Sequence, residues 1–340
     1  MRSQPRGRRV RGLLLGLAAA GTLVLAACSG PASDNSNTGG NTPAPNSGGG
    51  AAASSGPLTV AVITHGSAGD TFWNVVKNGA TDAGKQLGVT VNYSSDGDPG
   101  NQAKLIDNAV SQHVGGLVVS MANPDALKTS IQNAVKAGIP VITINSGQDK
   151  SAEFGALAHV GQDETIAGQQ AGQKFKAAGK KKLLCVIHEA GNVGLNQRCD
   201  GARQTFGEVK NLQVDINNPT DVESRIKGAL QADSSIDAVL TLNPQIATSA
   251  VTAAKGANSK AMVATFDLNS DVAAAIKSGD VAFAVDQQQY EQGYLPIVML
   301  KLYHDNANTV GGGKPVLTGP GFVDKSNVDK VAQYATRGTR

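Results

Sequence analysis

From Leu58 onward, short apolar runs alternate with alanine-rich stretches of helical period, and no other feature limits the fold as tightly. The runs lie at 58–63, 89–93, 116–119, 141–144, 156–160, 183–187, 212–216, 238–242, 262–266 and 281–285. Several are continuous and β-branched, as expected of parallel strands buried on both faces rather than of strands with one face in water. Amphipathic stretches such as 72–87, 101–112, 126–137, 164–178 and 246–255 lie between them. Strand and helix in alternation specify an α/β architecture with open parallel sheets. Roughly ten strands are too many for one small sheet and 340 residues too many for one ordinary domain, so two doubly wound lobes are expected. A hydrophobic fraction of 40% supplies two cores.

In such sheets ligands sit beyond the carboxyl ends of the strands, so the residues that follow each run carry the most information. The first run is followed by Thr64-His65-Gly66 and then Asp70-Thr71-Phe72-Trp73. Later ends read Asn145-Ser146-Gly147, His188-Glu189, Asn243-Pro244, Asp267 and Asp286-Gln287. Amides, carboxylates and imidazoles of this kind bond hydroxyl groups in both directions. Helix capping explains about half of them. It does not explain Trp73, the chain's single tryptophan, beside Phe72 in so polar a setting. A flat aromatic face suits the C–H face of a sugar ring, with the polar groups left for its hydroxyls.

The first 56 residues read differently. Residues 1–27 hold Arg2, Arg6, Arg8, Arg9 and Arg11, no acid, and an apolar run over 13–25 too short to span a bilayer comfortably. The run ends in Leu25-Ala26-Ala27-Cys28, which resembles the bacterial lipobox, with Cys28 the residue that receives lipid. The Arg8-Arg9 pair has poor twin-arginine surroundings, so general secretion is the expected route. Residues 28–56 are almost purely Ser, Gly, Asn, Thr, Pro and Ala, with Asp34 the only charge, and read as a disordered tether spanning roughly 30 Å. Loss of the leader's five arginines turns the formal charge of +3 into about −2, so no basic footprint for nucleic acid remains. The expected location is extracytoplasmic, lipid-anchored to the outer face of the bacterial cytoplasmic membrane.

Taken in order, the Asp-Thr-Phe-Trp turn, Asn123-Pro124-Asp125-Ala126, the 138–145 segment GIPVITIN, Val160-Gly161-Gln162-Asp163-Glu164, Asn243, Phe266-Asp267 and Gln287 resemble the type I periplasmic binding proteins. The likeness is to the ribose-binding-like sugar receptors of ABC importers and covers about 58–323. It implies a three-crossing hinge, with lobe one at 57–162 plus 288–318, lobe two at 163–287 plus 319–330, and a tail at 331–340. It also implies that a neutral monosaccharide or polyol is held between the lobes and delivered, by hinge closure, to an ABC transporter permease. The protein would act as a monomer without cofactor or metal. The resemblance puts Asp70, Phe72, Trp73, Asn145, Asn243, Asp267 and Gln287 at sugar contacts. Ser146 stands where ribose receptors carry arginine, and Asn196 replaces a second one, with Arg198 two residues on. His65 and His188 complete the candidate set. A nucleoside or a furanose signalling molecule is the alternative ligand.

Export places Cys185 and Cys199 in an oxidising compartment, where a disulfide across the intervening loop would contribute roughly 3 kcal/mol; two buried thiols are the other possibility. The histidines have neither i, i+4 pairing nor HExxH spacing, so zinc hydrolysis has no support. A lipoprotein glycosidase would need a working carboxylate pair, and Asp70 with Asp267 is explained by hydroxyl binding alone. A sugar-responsive regulator would begin with a helix-turn-helix where this chain carries an export signal. The expectation is a binding protein and not an enzyme.

Overall fold

The computed structural model describes residues 57–67 and 69–340. The expected signal peptide (1–27), Cys28 and the tether (28–56) lie outside the described residues. The chain begins with β1 (Thr59–Thr64), α1 (Thr71–Leu87), β2 (Thr90–Ser95), α2 (Pro99–Ser111), β3 (Gly116–Ser120), α3 (Pro124–Lys136), β4 (Val141–Ile144), the single turn α4 (Gln148–Ser151) and β5 (Ala158–Gln162). It continues through α5 (Glu164–Ala177), β6 (Lys182–Ile187), α6 (Val193–Phe206), β7 (Glu208–Gln213), α7 (Pro219–Ala232), β8 (Ala238–Thr241), α8 (Pro244–Gly256), β9 (Met262–Phe266), α9 (Ser270–Ser278) and β10 (Phe283–Asp286). It closes with α10 (Gln289–Asn306), β11 (Val316–Gly319), β12 (Gly321–Asp324) and α11 (Val328–Arg337).

Two six-stranded sheets result, β11-β5-β4-β3-β1-β2 and β12-β10-β9-β8-β6-β7, the same order twice. All pairings are parallel except β12 with β10. In each sheet the order reverses beside the first strand, β1 or β6, which is where an open α/β sheet forms a crevice. The central strands β3, β4 and β8 are wholly buried, with apolar clusters on both faces of each sheet. The chain passes between sheets three times, after Gln162, after Asp286 and between Gly319 and Gly321. α10 packs back on the first lobe against α1. A Cβ on Gly79 would lie 2.1 Å from the Tyr290 carbonyl oxygen, and one on Gly293 1.9 Å from that of Val76, so only glycine lets these helices approach so closely.

Three expectations need correction. The strand read at 212–216 is β7 at 208–213, because an edge strand with mostly exposed side chains carries little apolar signal. Leu212 pairs with Val186 inside it, while Val214 is buried beyond its end. The short strands β11 and β12 gave no apolar run to read. The tail at 331–340 is largely helical: α11 buries Val328 and Ala335 in the second lobe's core. Its end reaches back, with Asn78 Nδ2 donating to the Gly338 carbonyl at 3.0 Å and Arg340 Nε to Asp286 Oδ2 at 2.8 Å.

Candidate functional site

Strand ends of the first lobe deliver one wall. Asp70 caps α1, accepting from the Phe72 N–H at 2.9 Å, and so fixes the first turn that carries Phe72 and Trp73. Trp73 meets Phe72 edge to face with ring centroids 4.9 Å apart, and His65 at 4.7 Å. His65 follows β1 and has its Nδ1 2.7 Å from Ser120 Oγ at the end of β3. Asn145 follows β4 with φ 62°, a left-handed conformation that asparagine tolerates better than most residues.

The second lobe answers with the matching ends of its own strands. His188 and Glu189 follow β6, and Asn192 caps α6, accepting from Gly194 N–H at 3.0 Å. Asn243 caps α8, accepting from Gln245 N–H at 2.8 Å. Asp267 follows β9 with φ 70°, the counterpart of Asn145, and accepts from Gln287 Nε2 at 2.7 Å. Arg198, on α6, is buried and gives two short bonds to Glu164, 2.6 and 2.8 Å; its Nη1 lies 3.9 Å from Asp267 Oδ2.

These walls touch. Asn243 Nδ2 lies 3.3 Å from Asp70 Oδ1, Asn145 Nδ2 donates to Gln287 Oε1 at 3.1 Å, and Ser146 Oγ donates to Asn192 Oδ1 at 3.1 Å. Asn192 Nδ2 faces His65 Nε2 at 3.3 Å. Since its oxygen serves the cap, the amide presents N–H to Nε2, which places the ring proton of His65 on Nδ1, toward Ser120. The cavity they line has a volume of about 20 Å³.

Burial sets the charge of the site. It pushes His65 down to about 3, with the Arg198 charge adding to it, and His188 down to about 4, so both are neutral rings at pH 7. It pushes Asp70 up to about 6 and Asp267 up to about 8; the nearby Arg198 and the Gln287 bond pull Asp267 back only in part. Arg198 has its charge met by Glu164, and among the described residues no other lysine or arginine lines the cavity to meet an anionic guest.

The cavity collects His65, Asp70, Phe72, Trp73, Asn145, His188, Arg198, Asn243, Asp267 and Gln287. Ser146 and Asn196 do not line it: Ser146 braces Asn145 and Asn192 from behind, and Asn196 turns its amide onto its own helix, donating to the Asn192 carbonyl at 2.9 Å. Glu189, Asn192, Leu195 and Leu242 line it as well. Asn192 was legible as a polar residue opening a helix after Gly191; the two leucines look like core in the sequence. Cys185 and Cys199 are joined by a disulfide. No cluster of metal-ligating side chains occurs among the described residues. The Ser120–His65 contact is not a nucleophile pair, because Ser120 is fully buried outside the cavity.

Known proteins of this kind are readily found. A family model described as a periplasmic binding protein domain matches residues 60–307. The crystal structure of a carbohydrate transporter from Acidothermus cellulolyticus, in complex with myo-inositol, is 46% identical, with a TM-score of 0.83, covering 84% of this chain and 100% of that one. The ribose import binding protein of Haemophilus influenzae is 28% identical over 264 residues, 71% of this chain and 88% of its own. A periplasmic ribose ABC transporter structure from Conexibacter woesei is 25% identical, with a TM-score of 0.68, covering 84% and 97%. The chain therefore belongs to the periplasmic binding protein family, among the ribose-binding-like sugar-binding components of ABC importers, which bind their solutes without catalysing a reaction.

Proposed function

We propose that this protein carries a neutral polyol or monosaccharide, first of all a cyclitol such as myo-inositol, gripped between Phe72 and Trp73 of one lobe and Asn243, Asp267 and Gln287 of the other. The observation that carries this reading is a pocket rich in neutral amides, neutral imidazoles and raised carboxyls whose single arginine is already paired. A hydroxyl donates and accepts at once, so it can enter between Asp70 and Asn243 and satisfy both while replacing their mutual bond. The 46% identical relative crystallised with myo-inositol supports the choice of a six-membered polyol. Ser146, where the resemblance implies arginine in ribose receptors, argues against ribose itself.

In the delivery step the lobes turn about the three passages near Gln162, Gln287 and Pro320. Ligand contacts from both sides favour the closed form, and that form docks on the permease. Lipid on Cys28 and the 28–56 tether hold the body near the membrane face. A thermal-shift panel of inositols, pentoses, hexoses and alditols tests the ligand reading: at a hundredfold excess over Kd the cognate compound adds about 2.7 kcal/mol of stability. Myo-inositol is expected to raise the melting temperature, and a panel without any stabilising compound overturns the reading. For the anchor, mass spectrometry of membrane-extracted protein is expected to find an acylated Cys28 as the first residue.

A further inference from the structure

We propose that the cleft holds a second subsite, an outer chamber that accepts a neutral glycosyl group attached to the bound ring, so that the ligand class extends to polyol glycosides. This rests on the ring-site reading above. The chamber has a volume of about 490 Å³, inside the range of small-molecule sites, and joins the inner cavity through His65, His188, Glu189 and Asn192, which line both. Its remaining walls come from both lobes: Asp98, the cap of α2, on one side, and Asp215 and Asn217, just past β7, on the other. A group seated there would touch both halves of the clamp.

His188 is the buried polar side chain shared by the two chambers that is left with an unmet atom. The His188 ring is more than nine-tenths buried, and its Nδ1 has no hydrogen-bond partner. The ring stands at the junction of the chambers and lines both, where a guest spanning them packs against it. Charge then selects the group. Asp98, Glu189 and Asp215 line the outer chamber and no lysine or arginine does, so a phosphate or uronate is repelled while hydroxyls find acceptors and the Asn217 amide.

The test is calorimetric titration of the folded protein with myo-inositol, galactosyl-myo-inositol and myo-inositol 1-phosphate, repeated on a variant carrying Asp215→Asn and Asn217→Ala. Neither residue belongs to the ring site, and Asn at 215 keeps the acceptor that Asn217 N–H uses. The glycoside is expected to bind at least as tightly as myo-inositol, and the phosphate at least tenfold more weakly. The double variant should weaken the glycoside about tenfold and leave myo-inositol within twofold. A glycoside that fails to bind where myo-inositol binds, or a variant that weakens both equally or neither, overturns the subsite. If neither compound binds, the ring-site reading falls and the subsite falls with it.

Discussion

Asn243 and Asp70 face each other across the cleft at 3.3 Å, and each is also the cap of the helix behind it. Binding and helix stability are therefore joined at these positions, and a truncation at either one changes both. Asn243→Ala is expected to cost about 1 kcal/mol of stability through the lost cap and to weaken polyol binding about tenfold. Asn243→Ser separates the two, since serine caps equally well but is too short to reach Asp70. Melting should stay near that of the parent while calorimetry shows the same loss of affinity; a serine variant with full affinity removes Asn243 from the site.

The buried titratable groups predict a stability maximum on the acid side of neutrality. His65, His159 and His188 are pushed down by burial to about 3, 4 and 4, so the unfolded chain holds protons that the native one refuses, and stability rises as pH climbs toward the ordinary histidine value of 6.5. Asp70 and Asp267 are pushed up by burial to about 6 and 8. Their contribution is complete below an ordinary carboxylate value and is lost as pH rises through 6 and then 8. Three histidines outweigh two aspartates below about 6, and Asp267 alone acts between 6.5 and 8. Thermal melts of the ligand-free protein should peak near pH 6–6.5 and decline toward 8. Asp267→Asn, which suits the φ of 70°, should flatten that decline; an unchanged slope would remove Asp267 as its source.

Gly66 makes room for Trp73: a Cβ there would lie 2.4 Å from the indole Cγ. Gly66→Ala must move the ring or the backbone, at a cost of about 1–3 kcal/mol. Because Trp73 is the sole tryptophan, its emission reports this directly. The variant should show a shifted spectrum without ligand and at least tenfold weaker binding, whereas ligand added to the parent should itself change the emission. A cognate polyol that leaves the parent's spectrum untouched takes Trp73 out of the cleft wall.

Cys185 and Cys199, 14 positions apart, close a loop that carries His188, Glu189, Asn192 and Arg198. Cys185→Ser with Cys199→Ser should lower stability by about 3 kcal/mol and loosen those side chains, weakening ligand binding in parallel. Peptide mapping of unreduced exported protein is expected to recover the two cysteines as one linked species. Two free thiols in that material would contradict it.

What the sequence made legible follows from where apolar signal is strong. β4 and β9, buried on both faces, coincide with the runs read at 141–144 and 262–266. β7, β11 and β12 are edge elements with partly exposed side chains, so their pairing partners, and not their composition, make them strands. The site was readable because strand ends in an α/β sheet must converge on the crevice. Leu195 and Leu242 escaped because an apolar side chain lining a cavity is indistinguishable in sequence from one in the core. Asn196 misled because helical phase, which sequence spacing gives only approximately, decides whether a side chain faces the cleft or its own helix.

The position of β11 bears on how such a chain can be made. β5 is complete at Gln162, yet its outer neighbour is not synthesised until residue 316, after all of the other half except β12 and α11. A product that ends between Asp286 and Val316 therefore presents two bare edges at once, β5 and β10, each ready to recruit the same edge of another copy. Neither half can be lifted out as a continuous fragment, and prematurely terminated chains should accumulate as aggregates rather than survive as single working lobes.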